Sequence, residues 1–431
     1  MRTHAILSLL LLASPSPLFA QEASNTPSKG ATTAKSITVQ FDDIPKLIES
    51  KNGRIVASRL EIEASRKQEG HLARSFLPAV EISGAIETFK LGDRPSATQP
   101  TYGAELSVPL FNAFQDSLEE QRRKATTLEK EASSKVLYST EIATARASYW
   151  NLLHARKLSD LLRGALRINE NNMRAAERRI KSGVATETDR LEFEMRSVNL
   201  ERDLASTLIE ITRHQRTLAI ALGLDIDSNI STNSTLDHQH DWKKELAHNE
   251  AEHEFQVQEL IARKNETEAI AKQEARKPLP RVEAFAGFNH FNERGSDHAN
   301  SDGYNESVVG LRVKMNIGDF WESNAKRQAA NIQTSALQSR IHYERQEIES
   351  HIISEMNELS FLHSQVHAAE ENIKRANRYY TLTQAEYARG VKNSPDVVGA
   401  SDRLLDTQIK GLTILRDFQI ARSHVLSKTG R

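Results

Sequence analysis

Two periodicities alternate along the chain. From Leu77 to Lys90, Val80, Ile82, Gly84 and Ile86 fall on one face, and Glu81, Ser83 and Glu87 fall on the other. After the turn-rich stretch LGDRPSATQP, Tyr102, Ala104, Leu106, Val108 and Leu110 alternate against Thr101, Gly103, Glu105 and Ser107. A period of two predicts a hairpin of two strands. From about Ala113 to Ile180 the period lengthens. Tyr138, Ile142, Ala145, Tyr149 and Leu152 step by four and three, the spacing of a seam between packed helices. Lys181-Ser182-Gly183 breaks that helix, and a second helix starts near Thr186 or Thr188. There Leu204, Leu208, Ile211, Gln215, Leu218 and Leu222 keep the same spacing until Gly223 closes it. A helix of about 65 residues is ~100 Å long at 1.5 Å per residue. It must pack laterally against others of its kind.

The same programme then runs again. Asp225–His240 is polar and turn-rich, and a helix follows to about Arg276. LPRVEAFAGFNHF reads as a strand, NERGSDHANSDG as a loop and ESVVGLRVKMNIG as a strand, with Val309, Leu311, Val313, Met315 and Ile317 facing away from Arg312 and Lys314. A long helix runs from about Ser323 to Arg389, breaks at Gly390 and is followed by a last helix. LPAVEIS at Leu77–Ser83 and LPRVEAF at Leu279–Phe285 open the first strand of each hairpin, 202 residues apart (280 − 78). Leu-Pro ends a helix there, because proline disfavours helix in the residue before it. RIKSGVATETDRLEF aligns with YARGVKNSPDVVGAS, with glycines 207 apart (390 − 183). The expected organisation is a first repeat over 41–223, with strands at about 77–90 and 101–111, an inter-repeat segment over 224–245, and a second repeat over 246–431, with strands at about 281–291 and 306–318.

Strands of about ten residues, apolar on one face, are long enough to cross a bilayer when tilted. Four cannot close a barrel, and an open edge in lipid leaves backbone groups unsatisfied. A membrane barrel would therefore be shared between chains. Its lumen would be lined by Glu81, Glu105, Glu283, Arg312 and Lys314. Phe89, Tyr102, Phe111, Phe114, Phe291, Phe320 and Trp321 gather near the strand ends, as interface girdles do. A water-soluble amphipathic sheet has the same alternation, so a soluble periplasmic coiled-coil scaffold without channel activity is the alternative.

Composition narrows the choice. MRTHAILSLLLLASPSPLFA (1–20) has the arginine, short apolar run and small-residue end of a secretory signal peptide, and 21–40 reads as a flexible leader. Only 38% of the 431 residues are hydrophobic, and no later segment is apolar enough for a transmembrane helix. Lys+Arg 57 against Asp+Glu 58 gives a net charge of −1, which offers nothing to a polyanion such as nucleic acid. Cys 0 excludes disulfides, thiolate metal sites and cysteine nucleophiles.

The signal peptide, the duplicated halves, the Leu-Pro before each hairpin, LSVPLFNAF after the first and the glycine tips together resemble the TolC outer-membrane efflux family. The resemblance covers essentially the whole mature chain. It implies a mainly α protein with transmembrane β, built from duplicated helix-hairpin-helix halves. Three chains would form a 12-stranded outer-membrane β-barrel continued by a long α-helical periplasmic barrel. Its partners would be a periplasmic adaptor and an inner-membrane transporter of RND, ABC or MFS type, in a tripartite pump or type I secretion system. Carried over residue by residue, Gly183, Val184, Ala185, Gly390 and Val391 would form adaptor-docking turns. Thr188 and Asp189 would sit opposite Tyr387 and Lys392 at a periplasmic gate, and Asp396 would form a ring of carboxylates in the entrance. Two departures stand out: Gly399 occupies the place of a frequent second acidic residue, and Lys392 replaces the usual arginine.

Each candidate also has a plainer role. Gly183 and Gly390 end helices in any case, and Asp189 and Asp396 are placed to stabilise helix N-termini. His238, His240, His248 and His253 lie in polar sequence without ligand spacing, so no metal site is expected. No cofactor is expected either, because phosphate loops, HExxH and GxSxG are absent, as is any catalytic grouping.

Overall fold

The computed structural model describes residues 36–89, 97–237, 242, 253–291 and 304–427. In chain order the elements are β1 (Ser36–Val39), α1 (Ile44–Lys51), α2 (Gly53–Gln68), α3 (His71–Ser75), β2 (Ala79–Phe89) and β3 (Ala97–Phe111). Then come α4 (Gln115–Lys181), α5 (Glu187–Ala221), β4 (Asn229–Thr232) and α6 (His253–Arg276). β5 (Arg281–Phe291), β6 (Tyr304–Lys314), α7 (Asp319–Ala388) and α8 (Ser394–Ser427) complete the chain. The histidines His238, His240 and His248 lie outside the described residues, and His253 opens α6.

The stretch over Phe41–Arg74, ahead of the first Leu-Pro, forms three helices, and the breaks have local causes. Asn52 accepts the backbone N–H groups of Arg54 and Ile55, which caps α2. Its amide also donates to Glu141 at 3.0 Å and to the Ala221 carbonyl at 2.8 Å, pinning the corner to α4 and the end of α5. Gly70, at φ +74, separates α2 from α3. Gly223 is as constrained, because a Cβ there would lie 2.1 Å from the Lys51 carbonyl oxygen. Only glycine lets α5 end against that corner.

α4 packs against α5 on one side and α8 on the other, and α8 packs against α7. Toward the sheet, α6 takes the place between α4 and α7. Apolar burial is distributed in clusters along this layer. The largest joins Val39, Ile44, Ile48, Ile142, Tyr149, Leu152, Leu218, Leu222 and Ile230, where the parallel pair β1·β4 lies against the mid-part of α4. Most of the sequence-predicted seam is thus buried, but Leu208 is 43% exposed among the described residues.

β2-β3-β5-β6 form one antiparallel sheet in which the two hairpins join edge to edge through β3 and β5. Its faces are segregated. Val80, Ile82, Leu106, Ala286, Phe288, Val309, Leu311 and Val313 share one side, and Glu81, Glu105, Glu283, Arg312 and Lys314 share the other. β3 begins four residues before the expected Thr101, and β6 ends at Lys314, so Met315 and Ile317 lie beyond it. Asn316 makes the turn, its side chain accepting the Gly318 N–H, and α7 begins at Asp319 rather than near Ser323. Among the described residues, no helix is long and apolar enough to cross a membrane.

Candidate functional site

The two helix turns are built alike. Gly183 (φ +76) and Gly390 (φ +82) adopt the left-handed conformation that lets a helix end in a Schellman motif. Val184 N–H returns to the Arg179 carbonyl and Val391 N–H to that of Glu386, both at 3.0 Å. Each following helix opens with a reciprocal cap. Asp189 accepts the Thr186 N–H at 3.0 Å. Asp396 accepts the Asn393 N–H and Asn393 accepts that of Asp396, both at 3.2 Å. These capping pairs are also 207 residues apart (393 − 186 and 396 − 189), so the duplication extends into the caps. Val184 and Val391 are 64% and 72% exposed at the apices.

Among the links that tie the α4/α5 hairpin to the α7/α8 hairpin, three near the tips involve a charged side chain. Asp189 accepts the backbone N–H of Ser394 at 3.2 Å, and the Ser394 hydroxyl lies 3.4 Å from that of Tyr387. Partial burial pushes the Asp189 carboxyl up, but donors from Ser394 and Thr186 outweigh it and hold the group below its usual range. Second, Arg179 lays its guanidinium over the Tyr387 ring, 4.3 Å from the centroid, and donates to the Tyr387 carbonyl. Third, two to three turns from the tip, Arg196 bonds Asp402 at 2.8 Å and Asn169 at 3.5 Å. The Arg196 side chain is 4% exposed, and its Nη2 is buried without a hydrogen-bond partner among the described residues. Phe193, Tyr380, Tyr387, Val397 and Leu404 pack between these links.

Of the expected gate residues, Asp189 and Tyr387 meet through Ser394. Thr188 is exposed and its side chain makes no hydrogen bond to a described residue, and Lys392 forms no ion pair with one. Asp396 is engaged by its own helix cap, the plainer role foreseen for it. Arg179, Arg196, Ser394 and Asp402 were not singled out by sequence. Arg179 and Arg196 sit among many charged helix positions, and only the packing shows that they cross between hairpins.

On the polar face of the sheet, Arg312 bridges Glu105 at 2.7 Å and Glu283 at 2.8 Å, while Lys314 reaches Glu283 at 2.8 Å. The Arg312 guanidinium also covers the Phe285 ring at 4.0 Å. Four of the five expected lumen residues therefore form one network over three strands. The fifth, Glu81, lies directly opposite Glu105 and has no ion pair among the described residues. The described residues contain no cluster of three or more metal-ligating side chains.

The family described as Outer membrane efflux protein matches this chain twice, over residues 44–224 and 246–431. The chain belongs to that family. By sequence, no curated protein matches it. Solved structures share its fold at low identity. The outer-membrane channel OprN superposes with a TM-score of 0.73 at 14% identity, over 90% of this chain and 89% of that one. A membrane protein from Pseudomonas aeruginosa gives 0.73 at 16% identity, over 90% and 93%. The open state of the MtrE outer membrane channel of Neisseria gonorrhoeae gives 0.71 at 13% identity, over 90% and 88%. This outer membrane efflux protein is thus mostly helical, resides in the outer membrane with an extension into the periplasm, and serves transport. Its family is one of channels rather than enzymes, which sets aside the soluble scaffold.

Proposed function

We propose that three copies of this outer membrane efflux protein close a 12-stranded barrel and a continuous helical tunnel. The observation that carries this reading is that one chain ends on unsatisfied edges in both layers. Among the described residues, β2 and β6 each bond a neighbouring strand on one side only. The outer helices carry exposed apolar stripes: Leu191, Met195, Val198 and Ile209 on α5, and Phe361, Tyr379 and Leu382 on α7. A strand edge cannot face hydrocarbon unpaired, and apolar stripes at helical spacing call for a partner helix. Repeating the chain about an axis supplies both. The apolar sheet face then meets lipid, and the carboxylates and cations of the other face line the lumen.

Within this assembly the tips form the periplasmic gate. Asp189, Thr188, Tyr387, Lys392 and Asp396 lie at its mouth, and Asp396 contributes one carboxylate per chain to a ring that attracts cations. Gly183, Val184, Ala185, Gly390 and Val391 form the apolar surface on which a periplasmic adaptor docks. An inner-membrane transporter of RND, ABC or MFS type chooses the cargo, small molecules or proteins, and no cofactor takes part. Opening separates the two hairpins of each chain, a reading supported by the contacts that join them at the tips, Asp189 to Ser394, Arg179 to Tyr387 and Arg196 to Asp402. Native mass spectrometry in detergent should give three chains and planar bilayers should show discrete conductance steps. A monomer without conductance would sink the proposal.

A further inference from the structure

The duplication predicts the register in which neighbouring copies join, an inference that rests on the trimeric reading above. Within one chain, β5 is the counterpart of β2 and β6 that of β3. The hairpins have equivalent registers: Glu81 opposes Glu105, and Glu283 opposes Arg312. The offsets are 202 for the first strand (283 − 81) and 207 for the second (312 − 105). β3·β5 joins one hairpin to the next. Repeating that join places β6 of one copy against β2 of the next.

The register carries over by arithmetic. Ser107 opposes Phe285 in β3·β5, so Lys314 (107 + 207) opposes Ser83 (285 − 202) of the neighbouring copy. Pro109 opposes Glu283, so Asn316 opposes Glu81. Glu81 is then one diagonal step from Lys314 on the same polar face, within reach of two long side chains. We propose that Glu81 of one copy and Lys314 of the next form an ion pair across this seam and fix its register.

The charges favour that arrangement. Inside its own chain Glu81 faces the like charge of Glu105, an unfavourable direct pair. Arg312 is already engaged by two carboxylates, whereas Lys314 meets Glu283 alone and its side chain stays 60% exposed on the outermost strand. Within one chain Glu81 and Lys314 are three strand spacings apart, roughly 14 Å, too far for contact. Slipping the seam by one residue would turn the apolar face of a strand into the lumen. A slip of two keeps the faces, and the ion pair discriminates against it.

The test uses the chain's lack of cysteine. In the predicted register Ile86 opposes Leu311 (86 + 311 = 83 + 314), and neither belongs to the ion pair. The full-length I86C/L311C variant, purified as trimer and oxidised, should give covalent trimers on a non-reducing gel. The I86C/V309C and I86C/V313C controls, each slipped by two residues, should not. Crosslinking in a control but not in I86C/L311C would overturn the register. A double-mutant cycle then reads the pair itself through the temperature at which trimers dissociate in detergent. E81Q and K314Q should each lower it, and the combined variant should fall no further than the worse single change. Strictly additive shifts would overturn the ion pair, because side chains in direct contact show a coupling energy. Absence of any wild-type trimer would instead refute the assembly on which the register depends.

Discussion

The Arg179 guanidinium on α4 stacks on the Tyr387 ring at the end of α7, 4.3 Å from its centroid, and donates to the Tyr387 carbonyl. The same guanidinium lies 4.0 Å from where a Cβ at Gly390 would sit. A cation on an aromatic face and one hydrogen bond together contribute about 1–2 kcal/mol. Arg179→Ala should loosen the junction of the hairpins and raise conductance at rest in planar bilayers. Arg179→Lys, which keeps charge but not the planar stack, should fall between the two. Unchanged resting conductance in both variants would remove Arg179 from the gate.

Arg196 and Asp402 give two variants of opposite sign. The arginine is buried with one nitrogen unsatisfied among the described residues, a costly placement that an apolar side chain of similar length would avoid. Arg196→Met should leave the closed arrangement as stable or more so, and lower the open probability. Asp402→Ala leaves the buried cation without its carboxylate and should destabilise that arrangement by roughly 2–3 kcal/mol, raising the open probability. Recordings in which both variants shift in the same direction would count against this latch.

Gly183 and Gly390 adopt a conformation that costs a side-chain-bearing residue about 1–2 kcal/mol. A Cβ at Gly183 meets nothing within 4 Å, so the cost there is backbone strain alone. Gly183→Leu should leave trimers intact, remove adaptor binding in a pull-down and abolish efflux. Normal efflux with this variant would place docking elsewhere.

His154, on α4, lies near Arg416, Asp417 and Thr413 of α8 and His214 of α5. Burial, followed by the Arg416 cation, pushes its imidazole down to about 4. Between an unfolded pKa near 6.5 and that value, the folded chain binds fewer protons than the unfolded one. The contribution of neutral His154 is therefore complete above about pH 6.5 and is lost as pH falls toward 4. Melting temperatures at pH 7 and pH 5 should differ more for the wild type than for His154→Gln; equal differences would show that His154 does not carry the acid sensitivity.

Asp396 pairs with Asn393 in its cap, yet its carboxylate remains part-exposed at the tip. Asp396→Asn preserves much of the cap while removing the charge. It should reduce cation preference in reversal-potential measurements. An unchanged reversal potential would locate the selectivity elsewhere.

Much of the helix and strand pattern could be read from the sequence, because burial there follows simple periods. The four-three seam through Ile142, Tyr149 and Leu152 lies in the largest buried cluster, and the period-two alternation in β5 and β6 matches the two faces of the sheet. Less legible was the stretch over Phe41–Arg74, where Asn52 caps α2 locally but its corner is held in place by partners 89 and 169 residues away. A local window cannot contain such contacts. The tip followed the same rule: glycines and caps could be read from spacing, but Ser394 as the bridge between Asp189 and Tyr387 could not.

By itself the sequence determined the two halves, their strand and helix periods and the family, since each is written in local composition or in a repeat. Tertiary structure decided which charges meet. Arg312 chose Glu105 and Glu283, Arg196 chose Asp402, Arg179 chose Tyr387, and Glu81 was left without an ion pair among the described residues. Side-chain periodicity records which face of an element is buried. It does not record which element lies against that face, and pairing between charges depends on that neighbour.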